Sequence, residues 1–132
     1  METKNFDNLL NSLDELKQEI KKTTGINKAG VTYAMGLIED GKFKKPNSWS
    51  RPTPADENAF IEAEGMAAYG KWHLGIDSNV DPNLKGHWTY VFTSDFKTVD
   101  RAGLIAIRQR AGQNKETAIF EAAGKILEKI DA

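Results

Sequence analysis

The most regular hydrophobic pattern in the chain lies in residues 117–131. Its apolar positions recur every three or four residues, at Ile119, Ala122, Ala123, Ile126, Leu127 and Ile130. Because an α-helix turns once every 3.6 residues, this spacing puts all of these side chains on one face. A helix with one apolar face gains most of its stability by covering a core. The chain is therefore expected to fold around packed helices.

Local signals predict further helices. Thr53, Pro54 and Asp56 supply an N-cap, a proline at the first helical position and an acid at the third, and these three signals together mark a helix start. Asn27 and Asn114 are expected to cap two other helices. Besides the helix above, the predicted helices cover residues 28–40, 54–64, about 66–74 and 101–113.

One β-hairpin is predicted near residues 87–99, where aromatic and β-branched residues flank the turn-forming residues 93–95. The apolar run at residues 104–107 predicts that its helix is central, because apolar positions nearly encircle it. The expected fold is mainly α, of the α+β class. It is a compact bundle of about five to six short helices with one small β-hairpin.

The composition limits the chemistry that the chain can carry. Its 132 residues have the length of one domain. It contains no cysteine, which excludes disulfides, thiolate catalysis, cysteine-ligated zinc and iron–sulfur clusters. Lys and Arg number 18 against 19 Asp and Glu, a formal charge of −1. This balance argues against a general binder of polyanions such as nucleic acid.

No membrane or secretory segment is predicted. The first ten residues, METKNFDNLL, are acidic and polar, whereas a signal peptide needs a basic start and an apolar stretch. The longest wholly apolar runs reach about a third of a membrane span. We therefore expect an intracellular location and no membrane partner.

A second amphipathic pattern lies near the N-terminus. Its apolar residues follow the alternating spacing of a two-helix seam and form what we call the N-terminal stripe: Phe6, Leu9, Leu13, Leu16 and Ile20. Residues 1–25 are predicted as an amphipathic helix that ends near Gly25, and residues 26–132 as a single globular helical domain. The stripe either covers its own domain's core or mediates self-association or docking to a protein partner.

No metal, cofactor or catalytic site is predicted. Residues 77–81 resemble the opening of a calcium loop, but Pro82 and Trp88 stand where that loop needs glycine and glutamate. His73 and His87 are the two histidines, too few for a convincing metal set without cysteine. His73 is expected to bond backbone carbonyls at a helix end. No nucleophile elbow or phosphate loop occurs.

Two basic clusters are candidate phosphate contacts. One lies in residues 42–51, where aromatic residues separate the cations, and the other lies in the helix that follows Asp100. The candidate residues are Lys42, Lys44, Lys45, Arg51, Arg108 and Arg110. A solvated surface is the favoured interpretation, given the balanced charge, so nucleic acid is a possible partner that is not favoured. Arg101 is expected to pair with a buried acid or a carbonyl.

A succession of short motifs resembles a known family. The motifs are residues 37–42 (LIEDGK), 69–77 (YGKWHLGID), 85–90 (KGHWTY), 99–106 (VDRAGLIA) and 108–111 (RQRA). Over about residues 31–130 the chain is similar to an uncharacterised small module of tailed phages and prophages. That module often accompanies prohead proteases and other capsid-morphogenesis proteins. No enzymatic residues are assigned to it, so the resemblance implies none here.

These observations lead to one principal expectation and two alternatives. The principal one is a non-enzymatic phage- or prophage-type protein that acts through protein–protein contacts, in head assembly or as a minor virion component. Its expected location is the host-cell cytoplasm or the virion. One alternative is a nucleic-acid or nucleotide-phosphate binder that uses the 42–51 loop with Arg108 and Arg110. The other is an inhibitor of a host defence system.

Overall fold

A computed structural model describes residues 24–132, which form five α-helices and five short strands. In chain order these are β1 (Thr24–Ile26), α1 (Lys28–Glu39), β2 (Phe43–Lys44), α2 (Pro54–Glu64), α3 (Met66–Gly70), β3 (His73–Asp77), β4 (Trp88–Val91), β5 (Val99–Asp100), α4 (Arg101–Gln113) and α5 (Thr117–Asp131). A 3-10 turn over Lys85–His87 precedes β4. The predicted class, a mainly helical α+β fold with a small antiparallel sheet, is confirmed.

The strands form two small sheets. The first has the order β1-β3-β4, with both pairs antiparallel, and the second pairs β2 with β5 in parallel. The prediction of a hairpin near residues 87–99 is therefore wrong, because β4 and β5 do not pair with each other. The strand at its front, β4, pairs with β3 across residues 78–87, and the strand at its end, β5, belongs to the other sheet.

Side-chain bonds in the 93–98 turn explain this difference. The hydroxyl of Thr93 accepts from the backbone N–H groups of Asp95 and Phe96. The Asp95 carboxylate accepts from those of Lys97 and Thr98. These bonds replace a strand ladder, as Asx and Ser/Thr turns do, and Phe96 takes a positive φ of 54°. The chain therefore changes direction before β5.

The helix predicted over about residues 66–74 is also shorter than expected. It ends at Gly70, and β3 begins at His73. The Asn27 side-chain amide donates to the carbonyls of Gly70 and His73, at 3.0 Å each. Asn27 stands at the N-cap position of α1 without making a cap bond. Its amide instead bonds the carbonyls at the end of α3 and the start of β3. Asn27 is more than forty positions away from both carbonyls in the sequence.

The boundary predicted after residue 25 also moves. Thr24 and Gly25, assigned to the N-terminal helix, belong to β1, where they pair with Asp77 and Ile76. The N-terminal stripe itself lies outside the described residues. The helix start predicted from Thr53, Pro54 and Asp56 is confirmed, and the structure adds that Thr53 and Asp56 form a capping box.

The core lies between α1, the sheets and the antiparallel pair α4–α5. Its buried cluster contains fourteen residues: Ala34, Leu37, Ile38, Trp72, Leu74, Phe92, Val99, Leu104, Ile107, Ala111, Ile119, Ala123, Ile126 and Ile130. The α4 helix is not encircled by apolar neighbours as predicted, because Ile105 is 37% exposed. No helix within residues 24–132 has the length and apolar character that a membrane crossing requires.

Candidate functional site

His73 is buried and serves the fold. Its Nδ1 lies 2.9 Å from the carbonyl oxygen of Tyr69, and because a carbonyl only accepts, this nitrogen carries the proton. Burial lowers the pKa of His73 to about 4, since the charged ring would lose its hydration. The ring is therefore neutral at pH 7. The predicted bond to a helix-end carbonyl is present, although His73 makes it from β3.

The residues of the calcium-like loop are engaged in turns. The carboxylates of Asp77 and Asp81 accept from the backbone N–H groups of Asn79 and Asn83, at 3.0 and 2.8 Å. The Nδ1 atom of His87 lies 2.6 Å from the carbonyl oxygen of Val80. In the part of the chain from residue 24 onward, no three His, Asp or Glu side chains gather as metal ligands.

The first basic cluster is partly neutralised by acids. The Lys44 ammonium lies 3.6 Å from the Asp95 carboxylate, and the Lys45 ammonium lies 3.8 Å from Asp131. Arg101 binds Asp131 through two hydrogen bonds of 2.9 and 3.0 Å. The pair is at the surface, which corrects the expectation of a buried acid. Of the other candidate contacts in this loop, Lys42 and Arg51 are exposed.

The second basic cluster does not form a single surface. Arg108 and Arg110 are two positions apart on α4, so their side chains leave the helix about 200° apart. The Arg108 guanidinium lies over the Phe120 ring, 4.5 Å from its centre. Burial raises the pKa of Tyr90, and the positive charge of Arg110, on a different face of α4, acts in the opposite direction. Arg108 and Arg110 therefore do not form one phosphate-binding surface.

The solvent face between α4 and α5 forms a distinct strip, which we call the seam: Ile105, Arg108, Phe120, Gly124 and Leu127. A Cβ on Gly124 would lie 3.4 Å from the Arg108 Nε, an ordinary van der Waals distance, so the Arg108 side chain lies directly against this part of α5. Arg101 bonds Asp131, and Arg108 lies against Gly124. Both pairs fit a single antiparallel alignment of α4 and α5, and in that alignment Ile105 lies opposite Leu127.

Arg108 is fixed in the seam without a carboxylate. Phe120 supplies a cation–π contact, which holds the guanidinium plane against the helix pair. Among the ion pairs found over residues 24–132, none involves Arg108. One turn earlier on the same face, Ile105 is one of the two exposed large apolar residues described. The seam therefore combines apolar contact area with a positioned cation.

A buried acid that no sequence pattern singles out holds α2 in place. Glu57 is 7% exposed and is the one buried residue of that helix. Its carboxylate accepts from the Tyr69 hydroxyl at 2.9 Å and from the Lys85 ammonium at 3.3 Å. Burial, followed by the hydrogen bond to Glu57, raises the pKa of Tyr69. The only sequence signal was an acid in the first helical turn, which is ordinary at an exposed helix start.

A second polar group lies where β4 meets the α4–α5 turn. Tyr90 takes a positive φ of 61°, receives a hydrogen bond from Asn114 at 3.1 Å and donates one to Glu116 at 2.9 Å. Asn114 therefore bonds Tyr90 and does not cap α5, whose N-cap position is Glu116. These bonds tie the helix turn to the sheet.

Comparison of the chain with protein-family models gave no match, and comparisons with curated proteins and with solved structures gave none either.

Proposed function

We propose that this chain is a non-enzymatic, phage- or prophage-type protein that acts through protein–protein contacts. Its place would be head assembly or a minor position in the virion, in the host-cell cytoplasm or in the particle. The motif resemblance over about residues 31–130 supports this setting. The proposal on the mode of action rests on the chemistry of the surface.

The observation that carries the proposal is the seam. Arginine is enriched at the energetic centres of protein interfaces, where its planar head binds carboxylates and its contacts are desolvated by apolar neighbours. Arg108 is held over Phe120 in advance of binding, so little side-chain entropy remains to be lost on contact. Ile105 adds exposed apolar area on the same face.

The state of the other polar side chains supports a non-enzymatic role. His73 is buried and neutral, Asp77 and Asp81 bond their own turns, and Glu57 is occupied by Tyr69 and Lys85. Each of these groups has a structural task, whereas Arg108 has none that involves an acid.

Affinity capture with matched variants tests this proposal. The full chain is immobilised and exposed to an extract of cells that contain the phage or prophage, as wild type, as Ile105→Asp and as Leu84→Asp. Leu84 is 58% exposed and lies outside the seam, so its variant controls for the added charge. We expect a stoichiometric protein to bind the wild type and the Leu84 variant and to be lost with Ile105→Asp. Equal retention by all three, or by none, would contradict the proposal.

A further inference from the structure

We infer that the seam of one molecule receives residues 6–20 of a second copy of this chain. The inference rests on the proposed function, because it takes the seam as a protein-contact surface, and it names the partner. Three observations support it: complementary charge, similar length and the place of Thr24 in the fold.

The 6–20 segment is acidic, and the one charged residue of the seam is a cation. Residues 6–20 contain four acids, Asp7, Asp14, Glu15 and Glu19, against the single base Lys17, a net charge of −3. The seam offers Arg108, which pairs with no acid over residues 24–132. A carboxylate brought to this guanidinium would make a charge-assisted hydrogen bond beside apolar contacts, where solvent screening is reduced.

The apolar patterns and lengths also correspond. As a helix, the stripe from Phe6 to Ile20 spans about 21 Å at 1.5 Å per residue. The α4 helix has 13 residues, which gives about 18 Å from first to last residue on the same measure. Alternating three- and four-residue spacing is the pattern of a helix that inserts its side chains between those of neighbouring helices. A paired helix surface such as the seam offers that kind of groove.

The position of Thr24 favours a second copy over the same molecule. Thr24 begins β1, which pairs with β3 and packs against α5. Gly75 of β3 faces Ile119 on the core side of α5. To reach its own seam, the segment would have to pass around α5, which is about 10–12 Å wide with its side chains. The link from Ile20 to Thr24 spans at most about 13–14 Å when fully extended, which is less than the roughly 16–19 Å of half the circumference of such a helix. The seam of a second molecule imposes no such limit.

Light scattering on the purified full chain tests this inference. The variants are Ile105→Asp in the seam, Leu13→Asp in the stripe and Leu84→Asp as the exposed apolar control. We expect wild type and the control to have twice the monomer mass at micromolar concentration. Either of the first two variants should raise the dimer dissociation constant by at least about tenfold. A mixture of the two should recover part of the dimer, because each variant retains the surface that the other has lost.

Several results would overturn the inference. A monomeric wild type would do so, as would an Ile105→Asp chain that stays dimeric while Leu13→Asp dissociates. A monomer whose unfolding free energy falls with both substitutions would put the stripe on its own seam. Circular dichroism checks that each variant folds, and the exposed Arg108→Glu replaces Ile105→Asp if the latter does not. If the chain alone is monomeric but captures another protein in an Ile105-dependent way, the inference fails and the proposed function stands.

Discussion

Burial sets the chemistry of His73, whose ring lies against Tyr69 and bonds its carbonyl. The sequence marked this residue correctly as a structural group at a helix end. It could not show the depth of burial, because the surrounding residues come from α1, α3 and β4.

The lowered pKa of His73 makes stability depend on pH. Between pH 6.5 and 4 the unfolded chain binds a proton at this ring and the folded chain does not, so the free energy of unfolding falls as the pH falls through this window. At pH 7 the folded ring is neutral and the unfolded ring is mostly neutral, so the effect is small. The full loss is about 3 kcal/mol by linkage.

Urea denaturation of wild type and His73→Asn at a series of pH values measures this effect. The asparagine amide keeps a donor for the Tyr69 carbonyl without a titrating ring. The difference between the two unfolding free energies should change between pH 6.5 and 4, since the carboxylates common to both chains cancel. A constant difference would show that His73 titrates normally in the folded protein.

Two glycines of α1 provide a matched pair. A Cβ on Gly30 would lie 1.9 Å from the backbone oxygen of His73, whereas one on Gly36 would meet nothing within 4 Å. Gly30→Ala must push helix and strand apart and should cost about 2 kcal/mol or more. Gly36→Ala should stabilise by about 0.5–1 kcal/mol, because alanine is the better helix former. Thermal or urea unfolding of both variants measures the two changes in unfolding free energy. Equal effects at the two sites would contradict the close packing of Gly30 on His73.

At the scale of elements, α2 is the helix held most by polar contacts. Only Glu57 is buried along it, and Phe60 adds a stack on Phe96 with ring centres 4.5 Å apart. A helix with so little apolar burial should open locally before the α4–α5 pair does.

Hydrogen exchange with two glutamine substitutions tests how α2 is attached. Glu57→Gln removes the charge that binds Lys85, and we expect the α2 amides to exchange about tenfold faster while α5 is unchanged. Glu62→Gln, on an exposed position of the same helix, should leave exchange as in wild type. Equal acceleration in both variants would assign the effect to helix charge and not to the buried carboxylate.

The elements differ in how far the sequence determines them. The capping box at Thr53 and the apolar face of α5 depend on neighbouring residues, so local patterns predict them. The end of α3 depends on Asn27, and the loss of the 87–99 hairpin depends on the Thr93 and Asp95 side chains. Of the seam, Arg108 was predicted as a phosphate contact, but its seat on Phe120 follows from the α4–α5 register.

At the scale of the whole molecule, charge opposes nucleic-acid binding. The formal charge is −1, and Lys44 and Lys45 already face Asp95 and Asp131. We expect no mobility shift with DNA or RNA at low salt. A salt-dependent shift that disappears in a Lys44→Ala, Lys45→Ala, Arg110→Ala chain would instead support the phosphate-binding alternative.

The affinity of Arg108→Glu for the partner tests whether Arg108 in the seam carries a protein contact. Arg110→Glu is the control, because it makes the same charge change on a different face of α4. Arg108→Glu should weaken binding by at least about 30-fold, or 2 kcal/mol. Calorimetry measures this affinity if the partner is a captured protein, and a dilution series of the chain itself measures it if the partner is a second copy. Arg110→Glu should stay within about threefold of wild type. Equal losses for the two variants, or no loss for Arg108→Glu, would contradict the account.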